Sequence, residues 1–293
     1  MALELIADPS LAERTTLRLG GTAEVEAVVR DEADLDELAA FLATHTLRPF
    51  AIGRGSNLLA RDGRCDLALI RAAATPGPLR VERTGDRLVV RCGASQGLPG
   101  LLGWAQRAGL TGLEGLTGIP GSVGGAVAMN AGSYGVEFGS LVTRVRLWSP
   151  SGGLAWVEAD QCVFGYRHFS APAHPAGRLV WEVELALDES TPRAVRKAMR
   201  DVYDKKRATQ PVTARSAGCV FKNPEGESAG RLLDRAGMKG MRRGHMAFSD
   251  MHANFLVNLG GGTSAQAMEL IETGREAVKS AFGITLETEV IIL

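Results

Sequence analysis

Glycine recurs through residues 118–135, GIPGSVGGAVAMNAGSYG, at Gly118, Gly121, Gly124, Gly125, Gly132 and Gly135, and no residue of the stretch is charged. Glycine loses more conformational freedom on folding than any other residue. Such density therefore requires positive φ angles, tight turns or the close approach of another group. A shorter stretch of the same kind, GRGSN, occupies residues 53–57. Both follow segments with regular hydrophobic patterns, and successive backbone N–H groups in such loops form anion-binding nests. Ser56, Asn57 and Ser122 add donors without bulk. Two loops of this type suit a ligand with a diphosphate and a long body. Glycine turns that hold no ligand fit the same residues equally well.

The rest of the chain sets the bounds. Its 293 residues are enough for two or three domains, and 45% hydrophobic with 23% charged residues is the balance of a soluble globular protein. Lys+Arg and Asp+Glu number 33 each, so charge gives no case for a nucleic-acid partner. MALELIADPS lacks the basic flank and apolar run of a signal peptide, and no apolar stretch is long enough for a bilayer. The expectation is a cytoplasmic protein with no membrane partner. Cys65, Cys92, Cys162 and Cys219 form no CxxC pair, and the five histidines show no HExxH spacing. No disulfide framework and no metal site is expected.

Residues 24–30, EVEAVVR, alternate as a strand does, and 31–46 place Leu35, Leu38, Ala39 and Leu42 on one helical face. RPFAIG predicts a second strand and GRGSNLLARDG a loop. DLALIR and RLVVRCGA are further strands. Residues 96–108 carry a helical stripe of Leu98, Leu101, Leu102 and Ala105, interrupted by Gly100 and Gly103. LVTRVRLWSPSGGLAWVEA predicts a hairpin about a Ser-Gly-Gly turn. RLVWEVELAL predicts a strand, and Pro192 opens a basic helix over 192–208. Thr263 and Gln266 have capping-box spacing, starting a helix that runs to about Phe282, and TLETEVIIL predicts a final strand. No full GxGxxG follows a strand, so a Rossmann fold lacks support, and the absence of GxxxxGK[ST] excludes a P-loop. The irregular mixture of strands and helices predicts an α+β fold of several domains.

The motifs TTLRLGGTAE, AIGRGSNLL, GLTGIPGSVGGAVAMNAGSYG, FGYRHFS, SAGCVFKNP, SAGRLLDRAGMKG, HANFLVN and LETEV stand in this order from about residue 14 onward. In this the chain resembles the UDP-N-acetylenolpyruvoylglucosamine reductase family, FAD enzymes of peptidoglycan precursor synthesis. The resemblance implies a two-part FAD-binding fold of the vanillyl-alcohol-oxidase type and a smaller α+β substrate-binding domain. The implied segments are 1–74 and 75–207 for FAD, 208–284 for substrate and 285–293 as a closing strand. It implies noncovalent FAD held by Gly53, Arg54, Gly55, Ser56, Asn57 and Leu58 in the first loop. In the second it implies Gly118, Ile119, Pro120, Gly121, Ser122, Gly124, Gly125, Met129, Asn130 and Ala131.

The implied reaction reduces an enolpyruvyl ether of UDP-N-acetylglucosamine to the lactyl ether, with NADPH as reductant and the flavin handing hydride to C3. Negative charge then develops at C2 and in the carboxylate, and a proton must reach C2. By its motif, Arg167 grips the substrate carboxylate, bidentate geometry suiting a guanidinium, and Tyr166 lies beside it. Glu289 is the acid that steadies the enolate, which requires it to be protonated by burial; Glu287 takes the role if the register differs. Cys219 stands where family members carry a serine that donates the proton to C2. A thiol, with a reference pKa of about 8.5, is protonated near neutrality and fills that role. Its alternative is a small buried core residue. Asn223 and His252 are implied substrate contacts, with Lys206 and Arg207 (or Lys205) on the diphosphate.

Besides Cys219, three departures from the family pattern stand out: Arg54 in place of a glycine, the looser RRGHMAFSDMHANF, and GYRHFS itself. The spacing after Tyr166 and the ending at LETEVIIL resemble the subclass without a substrate-capping insertion. A monomer is expected. Two other functions remain open on the sequence: an FAD-dependent sugar or alcohol oxidase of the same fold, and a flavin-binding module without catalysis. No histidine occurs in GRGSNLLARDG to attach a flavin covalently, which disfavours the oxidase.

Overall fold

The computed structural model describes residues 3–174 and 179–293. Met1 and Ala2 of the N-terminal segment, and Arg178, the first residue of the expected RLVWEVELAL strand, lie outside them. The chain forms two compact units, each assembled from separated stretches. One comprises Met1–Ala7, Glu24–Gly53 and Asp66–Asp204; the other comprises Asp8–Ala23, Arg54–Cys65 and Lys205–Leu293.

In the first unit, an antiparallel sheet runs in the order Gly153–Glu158, Val142–Ser149, Leu179–Glu189, Arg87–Gly93 and Leu79–Thr84. The alternation that predicted the 142–158 hairpin works as expected. Val145 and Leu147 face a core shared with Leu98, Leu101, Leu102 and Ala105 of the Leu98–Ala108 helix. Arg144 faces the other way. There its guanidinium and that of Arg91 bind Glu184 at 2.7 and 2.8 Å, both lying over the Trp156 ring. Burial opposes ionisation of Glu184, but the hydrogen bonds from Arg144 and Arg91 outweigh it and hold its carboxyl below the usual range. A second core joins Trp148 and Trp181 to Ala27, Val29, Ile70 and Leu35 and Leu38 of the Glu32–Thr44 helix. Asp31 caps that helix by accepting from the Ala33 and Asp34 N–H groups.

The second unit has a four-stranded antiparallel sheet in the order Ser216–Cys219, Phe255–Asn258, Met246–Phe248 and Arg242–Arg243. Phe221, Met246 and Phe248 pack with Leu232 and Leu233 of the Ala229–Arg235 helix and with Leu270, Ile271 and Val278 of the Ser264–Phe282 helix. The capping box at Thr263 and Gln266 is present, and Gly283, at φ 71°, ends the helix in the left-handed conformation.

Several sequence expectations require correction. TLETEVIIL is not one strand: only Ile291–Ile292 is a strand, paired in parallel with Leu58–Leu59 inside the expected 53–63 loop. Before it, Leu286 and Val290 turn into the core, and Thr288 makes an isolated bridge to Phe221. The glycine-rich stretch contains a short helix, Val123–Ala128, where a loop is expected. Leu79–Thr84, exposed at every position, has no buried face to betray it as an edge strand.

Candidate active site

The glycines of 118–135 serve different ends. Gly118 and Gly121 hold φ 84° and 117°, conformations that disfavour any side chain. Here the backbone docks on 94–98: Leu98 N donates to Gly121 O at 3.0 Å, and Gly124 N to Ala94 O at 3.0 Å. A Cβ on Gly124 would stand 2.9 Å from the Ala94 Cβ, so this glycine allows the close approach. Ser122, buried, caps the Val123–Ala128 helix by accepting from Gly125 N. A Cβ on Gly53 would lie 2.3 Å from the Ser122 Oγ, which brings the start of the first loop onto the second. Gly125 differs. It is exposed, and a Cβ there would meet only Ser122 Oγ at an ordinary 3.5 Å. Nothing inside the protein demands its bareness.

The motif GYRHFS forms a hairpin in which Gly165 pairs with His168, leaving Tyr166 and Arg167 as the turn. Arg167 has φ 55°, an uncommon conformation for a side-chain-bearing residue. Its Nη2 donates to Gly132 O at 3.2 Å, and its guanidinium carbon lies 5.0 Å from the centre of the exposed Tyr166 ring. Thus Arg167 is held against the second glycine loop. Met129 donates its N–H to Gly125 O, Ala131 O accepts from Phe138 N, and Ile119 N donates to Leu116 O. Pro120 is exposed between them.

In the second unit, Cys219 and Glu289 come together through the backbone between them. Glu289 N donates to Val220 O at 2.7 Å, and Lys222 N to Glu287 O at 2.9 Å. Cys219 follows a bulge. Ser216 pairs with Val257 but Cys219 with Phe255, and Gly218, at φ 79°, takes up the extra residue. Two residues on, Asn254 fixes Phe221 from both sides, accepting its N–H at 2.9 Å and donating to its carbonyl at 2.8 Å. The first loop reaches the same place. Asn57 Nδ2 donates to Glu289 O at 3.1 Å, and Ile291 N to Asn57 O at 3.0 Å. Leu58 is buried beside it, Gly55 has φ 59°, and Arg54 is exposed. Ser56 is half-buried. Glu289 is half-buried whereas Glu287 is exposed and paired with Lys222, so the register favours Glu289 over its alternative.

Residues 210–293 match the family described as UDP-N-acetylenolpyruvoylglucosamine reductase, C-terminal domain, and residues 23–158 match an FAD binding domain. The UDP-N-acetylenolpyruvoylglucosamine reductase of Nitratidesulfovibrio vulgaris is 49% identical over 292 residues, 99% of both chains. That of Oleidesulfovibrio alaskensis is 51% identical over 289 residues, covering 98% of this chain and 97% of the relative. This chain belongs to the UDP-N-acetylenolpyruvoylglucosamine reductase family. The crystal structure of the reductase from Thermus caldophilus superposes with a TM-score of 0.83 at 35% identity, covering 99% of this chain and 98% of that one.

Like its family, the chain has an FAD-binding domain, and its residues fit that cofactor. Gly125 leaves the surface of the second loop bare, and Gly118 and Gly121, at positive φ, put no side chain over it, so a flat ring system can approach the backbone; the N–H groups of Val123, Gly124 and Gly125 are bound within the protein. Of the three candidate cations on the Pro192–Thr209 helix, Lys206 is the one that turns inward, 3% exposed, while Lys205 and Arg207 are exposed. Asn223 Oδ1 accepts from Ala229 N at 3.0 Å, at the start of the Ala229–Arg235 helix. His252 accepts from Asn254 N through Nδ1 and packs edge-on to Phe255. Burial, then the charge of Lys239, hold its imidazole below the usual histidine range. Gly218 and Asn254 escaped the sequence reading. The αL requirement of a bulge is invisible without its partner strand, and Asn254 acts on a residue 33 positions away. Among the described residues, no group of three or more His, Cys, Asp and Glu side chains is placed to hold a metal ion, and no helix is long and apolar enough to cross a membrane.

Proposed function

We infer that this reductase family member binds FAD noncovalently and uses NADPH to reduce the enolpyruvyl ether of UDP-N-acetylglucosamine to the lactyl ether, a step of peptidoglycan precursor synthesis. The observation that carries the mechanism is the pairing of Glu289 N with Val220 O, which seats an acid and a thiol on adjoining backbone. When bound, FAD supplies hydride transfer from the nicotinamide to C3 of the enolpyruvyl group. The protein does the rest. Arg167 fixes the substrate carboxylate and neutralises the charge that grows there. Glu289, in its protonated form, donates a hydrogen bond to the enolate oxygen. Cys219 delivers its proton to C2. Asn223 and His252 bound the sugar-nucleotide, with Arg207 at the edge. Tyr166, exposed beside Arg167, lines the carboxylate end.

The two glycine loops form the FAD site in this reading. Residues 1–74 and 75–207 serve the cofactor, 208–284 the substrate, and 285–293 carry Glu289. The protein works as a cytoplasmic monomer without nucleic acid or membrane. Purified protein should be yellow and release free FAD in acid. Without oxygen, NADPH should bleach the flavin and the enolpyruvyl nucleotide restore its colour. Restoration by oxygen alone, with no response to the nucleotide, would assign an oxidase instead.

Lys206 gives this reading a proton signature. Burial lowers its ammonium from 10.5 to about 8. Its charge is therefore partial near pH 8, and a diphosphate placed against it raises the pKa again. Nucleotide binding at pH 8 should take up protons through Lys206, and at pH 6, where Lys206 is charged with or without ligand, Lys206 should contribute none. Calorimetry in buffers of different ionisation heat measures the uptake. If Lys206→Met leaves the uptake at pH 8 unchanged, the diphosphate contact is wrong.

A further inference from the structure

We propose that Asn130 is a positioning residue for Arg167, acting through its side chain from inside the protein. The proposal rests on the reading of Arg167 as the ligand of the substrate carboxylate. Asn130 is 1% exposed and sits at φ 38°. Its Oδ1 accepts from Gly139 N at 2.8 Å, and its Nδ2 donates to Gly165 O at 2.9 Å and to Glu137 Oε2 at 3.3 Å. A single buried carboxamide thus joins the end of the glycine-rich stretch to the residue that opens the Tyr166–Arg167 turn.

The geometry leads on to Arg167 by two routes. Gly165 is the last paired residue before the turn, so the carbonyl that Asn130 holds sets where the turn begins. Two residues beyond Asn130, Gly132 O accepts from Arg167 Nη2. Both ends of the arginine, its backbone and its guanidinium, are referenced to the segment that Asn130 pins. A φ of 55° at a residue that is neither glycine nor asparagine persists only where its surroundings over-determine it. Asn130 is the buried polar group that does so. The carboxamide suits this task, because its oxygen accepts an N–H while its nitrogen donates to a carbonyl, which a carboxylate cannot do. Its side chain is spent within the protein, so any contact it makes to FAD runs through its backbone.

The test measures binding of two nucleotides to the oxidised holoenzyme by calorimetry. One is the enolpyruvyl substrate; the other is UDP-N-acetylglucosamine, which lacks the carboxylate. Asn130→Asp keeps the acceptor for Gly139 N but faces the Gly165 carbonyl with a second oxygen. Asn130→Gly suits the positive φ and removes the side chain, and it carries the test if the first variant does not fold. Arg167→Ala should weaken the enolpyruvyl nucleotide about tenfold or more, the scale of a hydrogen-bonded charge. Either Asn130 variant should lose a comparable factor, the double variant with Arg167→Ala should lose no more than Arg167→Ala alone, and UDP-N-acetylglucosamine should bind within about twofold throughout. Losses that multiply in the double variant, or that fall equally on both nucleotides, overturn the positioning role. If Arg167→Ala weakens the substrate and the Asn130 variants do not, the positioning role alone fails. If Arg167→Ala binds both nucleotides normally, the carboxylate reading fails and the proposal with it.

Discussion

Cys219→Ala is expected to slow reoxidation of the reduced enzyme by the enolpyruvyl nucleotide about a hundredfold or more, the usual contribution of a positioned proton donor. Reduction by NADPH should be far less affected, because no proton to C2 is needed there. Rapid-mixing measurement of the two half-reactions separates these effects. Cys219→Ser should recover much of the loss, since a hydroxyl is a donor of similar reach, though far less acidic than a thiol of pKa about 8.5. The bulge at Gly218 explains why the side chain matters more than its packing. Cys219 remains half-buried while its neighbours Ala217 and Val220 are in the core. Equal slowing of both half-reactions would make Cys219 a structural residue and return the proton donor to an open question.

Gly21→Ala should lower stability by about 3 kcal/mol or more, at the upper end of overpacking effects. A Cβ at Gly21 would lie 1.8 Å from Gly63 O and 2.6 Å from the Gly63 carbonyl carbon and nitrogen. None of these is the movable end of a side chain. Retreat is blocked, since Gly21 N donates to Arg61 O at 3.0 Å and Thr22 N to Gly63 O at 2.9 Å. Thermal unfolding should fall by roughly 5–10 °C. Gly63→Ala is the control: it pays only for φ 93°, since nothing lies within 4 Å of its Cβ. A Gly21→Ala midpoint within about 2 °C of the parent would show that the segments around Gly21 and Gly63 separate more easily than their hydrogen bonds imply.

What could be read from the chain beforehand depended on how local the cause was. The 142–158 hairpin and the Ser264–Phe282 helix declare themselves, because alternation and a capping box are complete within their own residues. The family motifs pointed to Arg167, Cys219 and Glu289, and the structure places Arg167 in a turn beside the glycine-rich stretch and Cys219 and Glu289 on backbone joined through Val220. The Val123–Ala128 helix was hidden because paired glycines disfavour helix, and its support comes from Ser122 and from the 94–98 backbone. TLETEVIIL misled for the opposite reason. Its β-branched residues have strand propensity, but Glu289 N is drawn to Val220 O and Val290 to the core, leaving a short parallel pairing at its end. Which of Lys205, Lys206 and Arg207 turns inward was likewise undecided until the helix was seated.

The parallel pairing of Leu58–Leu59 with Ile291–Ile292 has a temporal meaning. Ile291 N binds Asn57 O, Leu293 N binds Leu59 O, and Arg61 N binds Leu293 O, so an early segment takes its shape from one made some 230 residues later. On the ribosome, Gly55 and Arg61 can be met early by Thr16 and Gly21, but Asn57 and Leu59 must wait for their partners until synthesis reaches residues 291–293. The pairing that closes over residues 57–61 is therefore a late event of biogenesis.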